Sequence, residues 1–134
     1  MSIDWNSYKK YAPFLVRIGL GLVLTWFGVD AWLNPGVWTS LVPSWVLKII
    51  PLSANNFMKL NGTGEIILGV LLLIGLWTRL VAALTAALLL GIIFTLGYGD
   101  LAVRDFGLLL ASLSLIASGA SWGSLDNRKG LLEF

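Results

Sequence analysis

Long apolar runs alternate with short polar breaks along the chain, and the lengths of the runs decide the architecture. Four of them are close to the twenty or so residues that a helix needs to cross a hydrocarbon core at about 1.5 Å per residue. They predict transmembrane helices over about 13–33, 57–76, 78–98 and 101–120. Pro13 suits a first turn, where a missing N–H leaves nothing unsatisfied. Asn34-Pro35-Gly36 ends the first run, Gly97-Tyr98-Gly99 parts the third from the fourth, and Asp100 is expected as the N-cap of the last. The second and third runs meet near Trp77-Thr78, a join so short that it demands a tight antiparallel hairpin. The expected fold is all-α, an integral membrane four-helix bundle in a single domain over 1–134.

The one long connection, from Asn34 to Asn56, carries a pattern of its own. Pro43-Ser-Trp-Val-Leu-Lys-Ile-Ile-Pro51 reads as a short interfacial helix over about 43–50, too short to span and apolar enough to lie along a membrane surface. Trp32, Trp38 and Trp45 are expected at that interface, with Trp5, Trp77 and Trp122 at the opposite one.

In lipid the burial of apolar surface does not drive helices together, because acyl tails are as apolar as leucine; close approach over small residues does. Small or polar residues recur at helical spacing in every run. The expected packing faces are Arg17, Gly21 and Gly28 on the first helix, Asn61, Glu65 and Gly69 on the second, Ala83, Ala87, Gly91 and Thr95 on the third, and Arg104, Gly107, Ala111, Ser114 and Ser118 on the fourth. Gly21 to Asp30 also aligns with Gly91 to Asp100 at glycine, threonine and aspartate, a faint trace of a duplicated helix pair.

Composition narrows the chemistry. Apolar residues make up 57% and charged residues 12% of the chain, too few charges to coat a water-exposed surface. A net charge of +2 gives no argument for nucleic acid as a partner. Histidine and cysteine are absent, which removes the usual ligands of zinc, haem and iron–sulfur clusters, thiol redox chemistry, and the imidazole base of Ser-His and Cys-His pairs. No metal site is expected. Catalytic residues cannot be assigned, and a quinone is the one candidate cofactor.

Charge placement gives a sidedness. Lys9, Lys10, Arg79, Arg128 and Lys129 fall at one end of the predicted bundle and Lys48, Lys59 and Arg104 at the other, so the positive-inside rule expects both termini in the cytoplasm and the chain in the plasma membrane as a multi-pass protein. Lys9-Lys10 ahead of an apolar run resembles a signal peptide, but Arg17 interrupts the run and no small-residue cleavage pattern follows.

Ionisable residues at membrane depth are the sharpest functional signal, since each costs roughly 2.5 to 3.5 kcal/mol at a helix centre on insertion scales. Glu65 is expected about 12 Å below the outer end of its helix. Asp30, Arg104 and Asp105 start or end helices on that side, so these residues are expected to converge with Glu65 in one outward-facing pocket, Asn61 standing one turn above and Arg104 serving as a bidentate partner for a carboxylate. The competing reading makes Asp30 and Asp105 wet interfacial residues and Glu65 a member of a structural ion pair. Arg17 is expected to snorkel to the cytoplasmic interface as an anchor. Trp26 is expected in the core, with stacking on a ligand ring as the alternative.

Motifs in sequence order resemble the DoxX family of small membrane proteins: Arg17-Ile-Gly-Leu-Gly-Leu-Val and Trp26-Phe-Gly-Val-Asp30 before Leu33-Asn-Pro35, then Glu65-Ile-Ile-Leu-Gly69 with Gly75-Leu-Trp-Thr-Arg79-Leu, then Val103-Arg104-Asp105-Phe-Gly-Leu-Leu. Relatives often carry lysine where this chain has Ala31, which puts any role of that lysine in doubt here. The resemblance implies a four-helix membrane bundle and little about activity, because relatives include the membrane part of a thiosulfate:quinone oxidoreductase, a cargo receptor and the membrane domain of a carboxylase. Three functions follow as expectations. One is a non-catalytic or accessory subunit of a membrane redox or respiratory assembly, holding a membrane-protein partner, a second copy or a lipid-like molecule. The others are a quinone-linked oxidoreductase subunit using Glu65 and Arg104, and a small-molecule transporter acting as an oligomer.

Overall fold

The computed structural model describes residues 2–129; Met1, residues 130–134 and the side chain of Lys129 lie outside the described residues. Among the described residues eight helices follow one another: α1 (Trp5–Tyr8), α2 (Tyr11–Leu33), α3 (Pro35–Thr39), α4 (Ser44–Ile49), α5 (Ala54–Ile74), α6 (Thr78–Leu96), α7 (Asp100–Ser118) and α8 (Leu125–Lys129). Of these, α2, α5, α6 and α7 are long and apolar enough to cross a membrane. Large apolar side chains such as Leu15, Leu22, Ile67, Leu84 and Leu110 point outward from them, which suits hydrocarbon as the surrounding medium. Both described ends of the chain lie at one end of the bundle, here the terminal end; α3 and α4 lie at the other, the distal end.

Local chemistry explains the boundaries. Asn34 closes α2 by donating its backbone N–H to the Asp30 carbonyl, and Pro35 then opens α3, a short helix that the sequence pattern did not predict. The proline-flanked segment forms α4 as expected. Ser53 caps α5 by accepting from the Asn56 N–H, so the helix begins three residues earlier than its apolar run and Glu65 falls at its middle. Asp100 is the first residue of α7 rather than its cap, a position held by Gly99. Between α5 and α6, Gly75 takes the left-handed conformation that ends the helix, and Trp77 also adopts positive φ, at 50°.

The bundle is two helix pairs. Helix α2 packs along α5, and α6 along α7. The first pair crosses over glycine: a Cβ on Gly21 would stand 2.9 Å from the Gly69 carbonyl oxygen, and one on Gly28 would stand 2.6 Å from that of Gly62. The equal spacing of Gly21 to Gly28 and Gly62 to Gly69 zips the two antiparallel helices face to face; Gly21, Gly28 and Gly69 pack as expected, while Gly62 takes the place expected of Asn61, which turns to the cavity. The second pair departs from expectation. Helix α6 buries Thr78, Val81, Ala82, Thr85, Ala86 and Leu89, while α7 buries Ala102, Asp105, Leu109, Ser112 and Leu115. Ala83, Ala87, Gly91, Gly107, Ser114 and Ser118 are exposed instead. Helical spacing alone cannot choose between adjacent rows such as Ala82/Ala86 and Ala83/Ala87, and the row that also carries Val81, Thr85 and Leu89 fills the seam.

The pairs meet tightly toward the terminal end, where Leu20, Leu24, Leu72, Val81, Ala82 and Leu115 form one buried cluster. Ala86, Leu89 and Leu109 continue it between α6 and α7 only.

Candidate functional site

Toward the distal end the two pairs separate and leave a cavity of about 390 Å³, within the range of small-molecule sites. Phe27 and Ala31 of α2 and Phe57, Met58, Asn61 and Glu65 of α5 form one wall; Ala87, Leu88, Gly91, Ile92, Thr95 and Leu96 of α6 with Leu101 and Arg104 of α7 form the other. Trp38 of α3 and the following Leu41 and Val42 close the distal side. The row Ala87, Gly91 and Thr95, expected to pack on a neighbour, hollows this wall: a Cβ on Gly91 would meet nothing within 4 Å.

The sequence-selected residues divide three ways. Asn61, Glu65 and Arg104 stand on the cavity wall together. Glu65 is 8% exposed, and its Oε1 accepts a 3.1 Å hydrogen bond from the Asn61 Nδ2. Arg104 lays its guanidinium on the Phe27 ring at 4.1 Å, bridging α7 to α2. It also holds Asp105, but not in the expected bidentate way: Nε at 2.7 Å and Nη2 at 2.6 Å both reach Oδ1, and the buried Oδ2 has no protein partner.

Asp105 and Asp30 flank the cavity without lining it. Asp105 is fully buried behind Arg104, so the reading of a wet interfacial aspartate is wrong for it. Asp30 accepts from the Trp38 indole N–H at 2.8 Å and from the Asn34 Nδ2 at 2.8 Å, which fixes α3 across the cavity mouth. Glu65 makes no ion pair within 4 Å among the described residues, which removes it from the structural ion pair considered for it.

Trp26 does neither thing expected of it. It is 71% exposed on the outer surface, away from both core and cavity, because at about 100° per residue it points to the side of α2 opposite the face that carries Leu20, Leu24, Gly28 and Ala31. The aromatic residues that do line the cavity are Phe27, Trp38 and Phe57. Trp38 stands edge-to-face on Phe27 at 5.6 Å, a contact that sequence spacing gives no means of finding. Ala31 is buried against Gly62, where the α2–α5 crossing is tight.

A second polar cluster lies at the terminal end, and Arg17 is its centre. Instead of reaching to an interface, this side chain is 1% exposed. It donates to the Leu72 carbonyl at 2.6 Å, the Leu73 carbonyl at 2.8 Å, the Ser121 Oγ at 3.0 Å and the Trp122 carbonyl at 3.4 Å. The last turn of α5 presents carbonyls with no helical partner and the negative end of its dipole, which a buried guanidinium satisfies without a carboxylate. Beside it Asp126 accepts from the backbone N–H of Trp77 at 2.7 Å and of Thr78 at 2.8 Å, and from the Thr78 hydroxyl at 2.7 Å. The segment after α7 is thereby tied to both helices of the α5–α6 hairpin.

The two arms of the apparent repeat share one local feature: Thr25 and Thr95 each donate to the glycine carbonyl four residues back. Their surroundings differ, since Gly21 is clamped against α5 and Gly91 faces open space.

No curated protein and no solved structure matches this chain. The DoxX family model matches residues 12–97, which takes in α2 through α6 and stops short of Arg104 and Asp105. With that match over most of its length and with four helices able to span a bilayer, the chain is a multi-pass membrane protein that belongs to the DoxX family.

Proposed function

We propose that this chain is an accessory membrane subunit that holds one lipid-like molecule in the distal cavity and performs no chemistry alone, working beside a membrane redox or respiratory partner. The observation that carries the reading is the cavity itself. It is walled by aliphatic and aromatic side chains, lies between two separable helix pairs within the span of the membrane helices, and has Asn61, Glu65 and Arg104 on its wall. An amphiphile suits such a site, its chain against the apolar wall and its head at the polar groups. The positive-inside rule puts the terminal end, with Lys9, Lys10, Arg79 and Arg128, in the cytoplasm of a plasma-membrane protein, so that the cavity opens toward the outer leaflet.

Purification in mild detergent followed by extraction and mass spectrometry tests this. One amphiphile per chain is expected, and Leu88→Trp, which fills the cavity, should release it. Turnover of a quinone or thiol substrate by the purified chain alone would refute the non-catalytic reading.

A quinone-linked subunit is the second reading, favoured by Glu65 and Arg104 sharing one wall. The wall fits a quinone head, whose carbonyl oxygens would accept from the Asn61 amide and from the guanidinium N–H groups of Arg104 that Asp105 leaves free; when bound, a quinone supplies two-electron redox chemistry. Quinone-dependent activity of the assembly that survives Glu65→Gln and Arg104→Ala would rule those residues out. Transport has less support, because the buried cluster around Leu72 and Leu115 fills the terminal half of a single copy.

A further inference from the structure

The charges around the cavity do not balance. Arg104 is engaged twice, by Asp105 at its edge and by Phe27 at its face, and its charge is neutralised by that carboxylate. Asp30 stands behind Trp38 with two donors on it, and the nearest lysine on α5, Lys59, lies over the Trp32 ring at 5.2 Å. What remains on the wall is Glu65, more than nine-tenths buried, holding one neutral hydrogen bond from Asn61 and no cation within 4 Å among the described residues.

A buried carboxylate among apolar side chains is costly unless an opposite charge or further donors reach it. Arg104, the cation on the same wall, is already paired with Asp105, and the cavity also carries the ring of Trp38, packed on Phe27. The faces of such rings attract positive charge, most strongly where water is excluded. The indole of Trp38 is held in place by its bond to Asp30, which adds negative potential behind the ring.

We propose that the occupant of this cavity is an amphiphilic cation, with an ammonium head at Glu65 in the cavity that the Trp38 ring closes and a single apolar chain along Val42, Leu88 and Ile92. The inference rests on the reading of the cavity as an amphiphile site and names its chemical class. Neutral and anionic amphiphiles of the same length are disfavoured, because they leave the carboxylate without a counter-charge or oppose it.

Nitroxide-labelled probes of one chain length, an amine, an alcohol and a fatty acid, distinguish these classes when added to the purified protein in nanodiscs, with the immobilised fraction read by electron paramagnetic resonance. The amine should bind at least tenfold more tightly than the alcohol, and Glu65→Gln, which keeps the shape and the Asn61 contact, should reduce it to the alcohol's level. Trp38→Leu, which retains the acid, should weaken the amine severalfold more than it weakens the alcohol, and it serves as the test if Glu65→Gln does not fold. Equal binding of amine and alcohol, indifferent to both substitutions, would overturn the cationic assignment while leaving an amphiphile site in place. Immobilisation of none of the three probes would overturn the cavity reading as well.

Discussion

Replacing Arg17 separates two physical pictures of the terminal end. An arginine that snorkels to the interface is exchangeable for lysine, since a flexible ammonium reaches water as well as a guanidinium does. A buried guanidinium that joins α2 to the end of α5 and to the segment after α7 is not, because its donors are set in a fixed fork. Three of its contacts, at 2.6, 2.8 and 3.0 Å, have the length of good hydrogen bonds, and the fourth, at 3.4 Å, contributes little. Hydrogen bonds in membrane proteins average about 0.6 kcal/mol, and those to charged groups in water-soluble proteins reach about 1.5 kcal/mol, so Arg17→Ala should cost about 2 to 4.5 kcal/mol. The lower half of that range is favoured, because alanine also removes a charge that had to be desolvated. Lysine, with one donor group in place of the fork, should recover less than half of the loss.

Unfolding in mixed micelles of a mild detergent and sodium dodecyl sulfate, followed by tryptophan fluorescence, measures this. Trp122 adds a local signal, since its carbonyl is one of the acceptors and its ring stands edge-to-face on Tyr11 and Phe14. A loss below about 0.5 kcal/mol for Arg17→Ala, or a lysine variant indistinguishable from the parent, would refute the buried role and restore the anchor.

Two further substitutions test the packing. Gly62→Ala inserts a methyl that would stand 2.7 Å from the Gly28 carbonyl oxygen, so it should force α2 and α5 apart and destabilise by about 2 kcal/mol on the scale of overpacked cores; Gly64→Ala, with open space at its Cβ, should be neutral or slightly stabilising in the same unfolding assay. Asp126→Asn keeps one acceptor oxygen where three hydrogen bonds end on two, and it releases the contacts that hold Trp77 at positive φ, so a loss of about 1 to 2 kcal/mol and faster proteolysis of the segment after α7 are expected.

What the sequence made legible follows from how each interaction is encoded. Apolar run length gives the four spans to within a few residues, because hydrocarbon thickness leaves a helix little freedom. The α2–α5 seam was legible at Gly21, Gly28 and Gly69, because small residues at helical spacing have few other uses there, but Gly62 was missed beside the more conspicuous polar Asn61. The α6–α7 seam was not, since alanine and serine are so frequent on both helices that neighbouring rows look alike. At the distal site the charged residues were legible through the penalty of burying them, and Glu65, Asn61 and Arg104 do share a wall. The aromatic half of that site was hidden. Trp38 reads as an interfacial residue until Asp30 is seen to turn it inward, and Trp26 reads as a core residue until the rotation of α2 carries it outside. Arg17 was misread for a related reason. Its partners are backbone carbonyls, which leave no mark in sequence, together with Ser121 more than a hundred residues away.

The contrast between the two ends of the bundle explains why a cavity exists at all. At the terminal end the helix pairs are closed by aliphatic packing and by two polar ties, Arg17 and Asp126, each satisfied by backbone groups and each reaching several segments at once. At the distal end small residues on α6 face no partner, the pairs are bridged there by the stack of Arg104 on Phe27, and α3, held by Asp30 through Trp38, covers the cavity from the α2–α5 side. Small residues therefore do opposite jobs in one chain: on α5 they admit a backbone, and on α6 they admit space. The charged residues of the distal end thus mark the place where this bundle gives up packing between its halves, and the guest molecule proposed above would restore it.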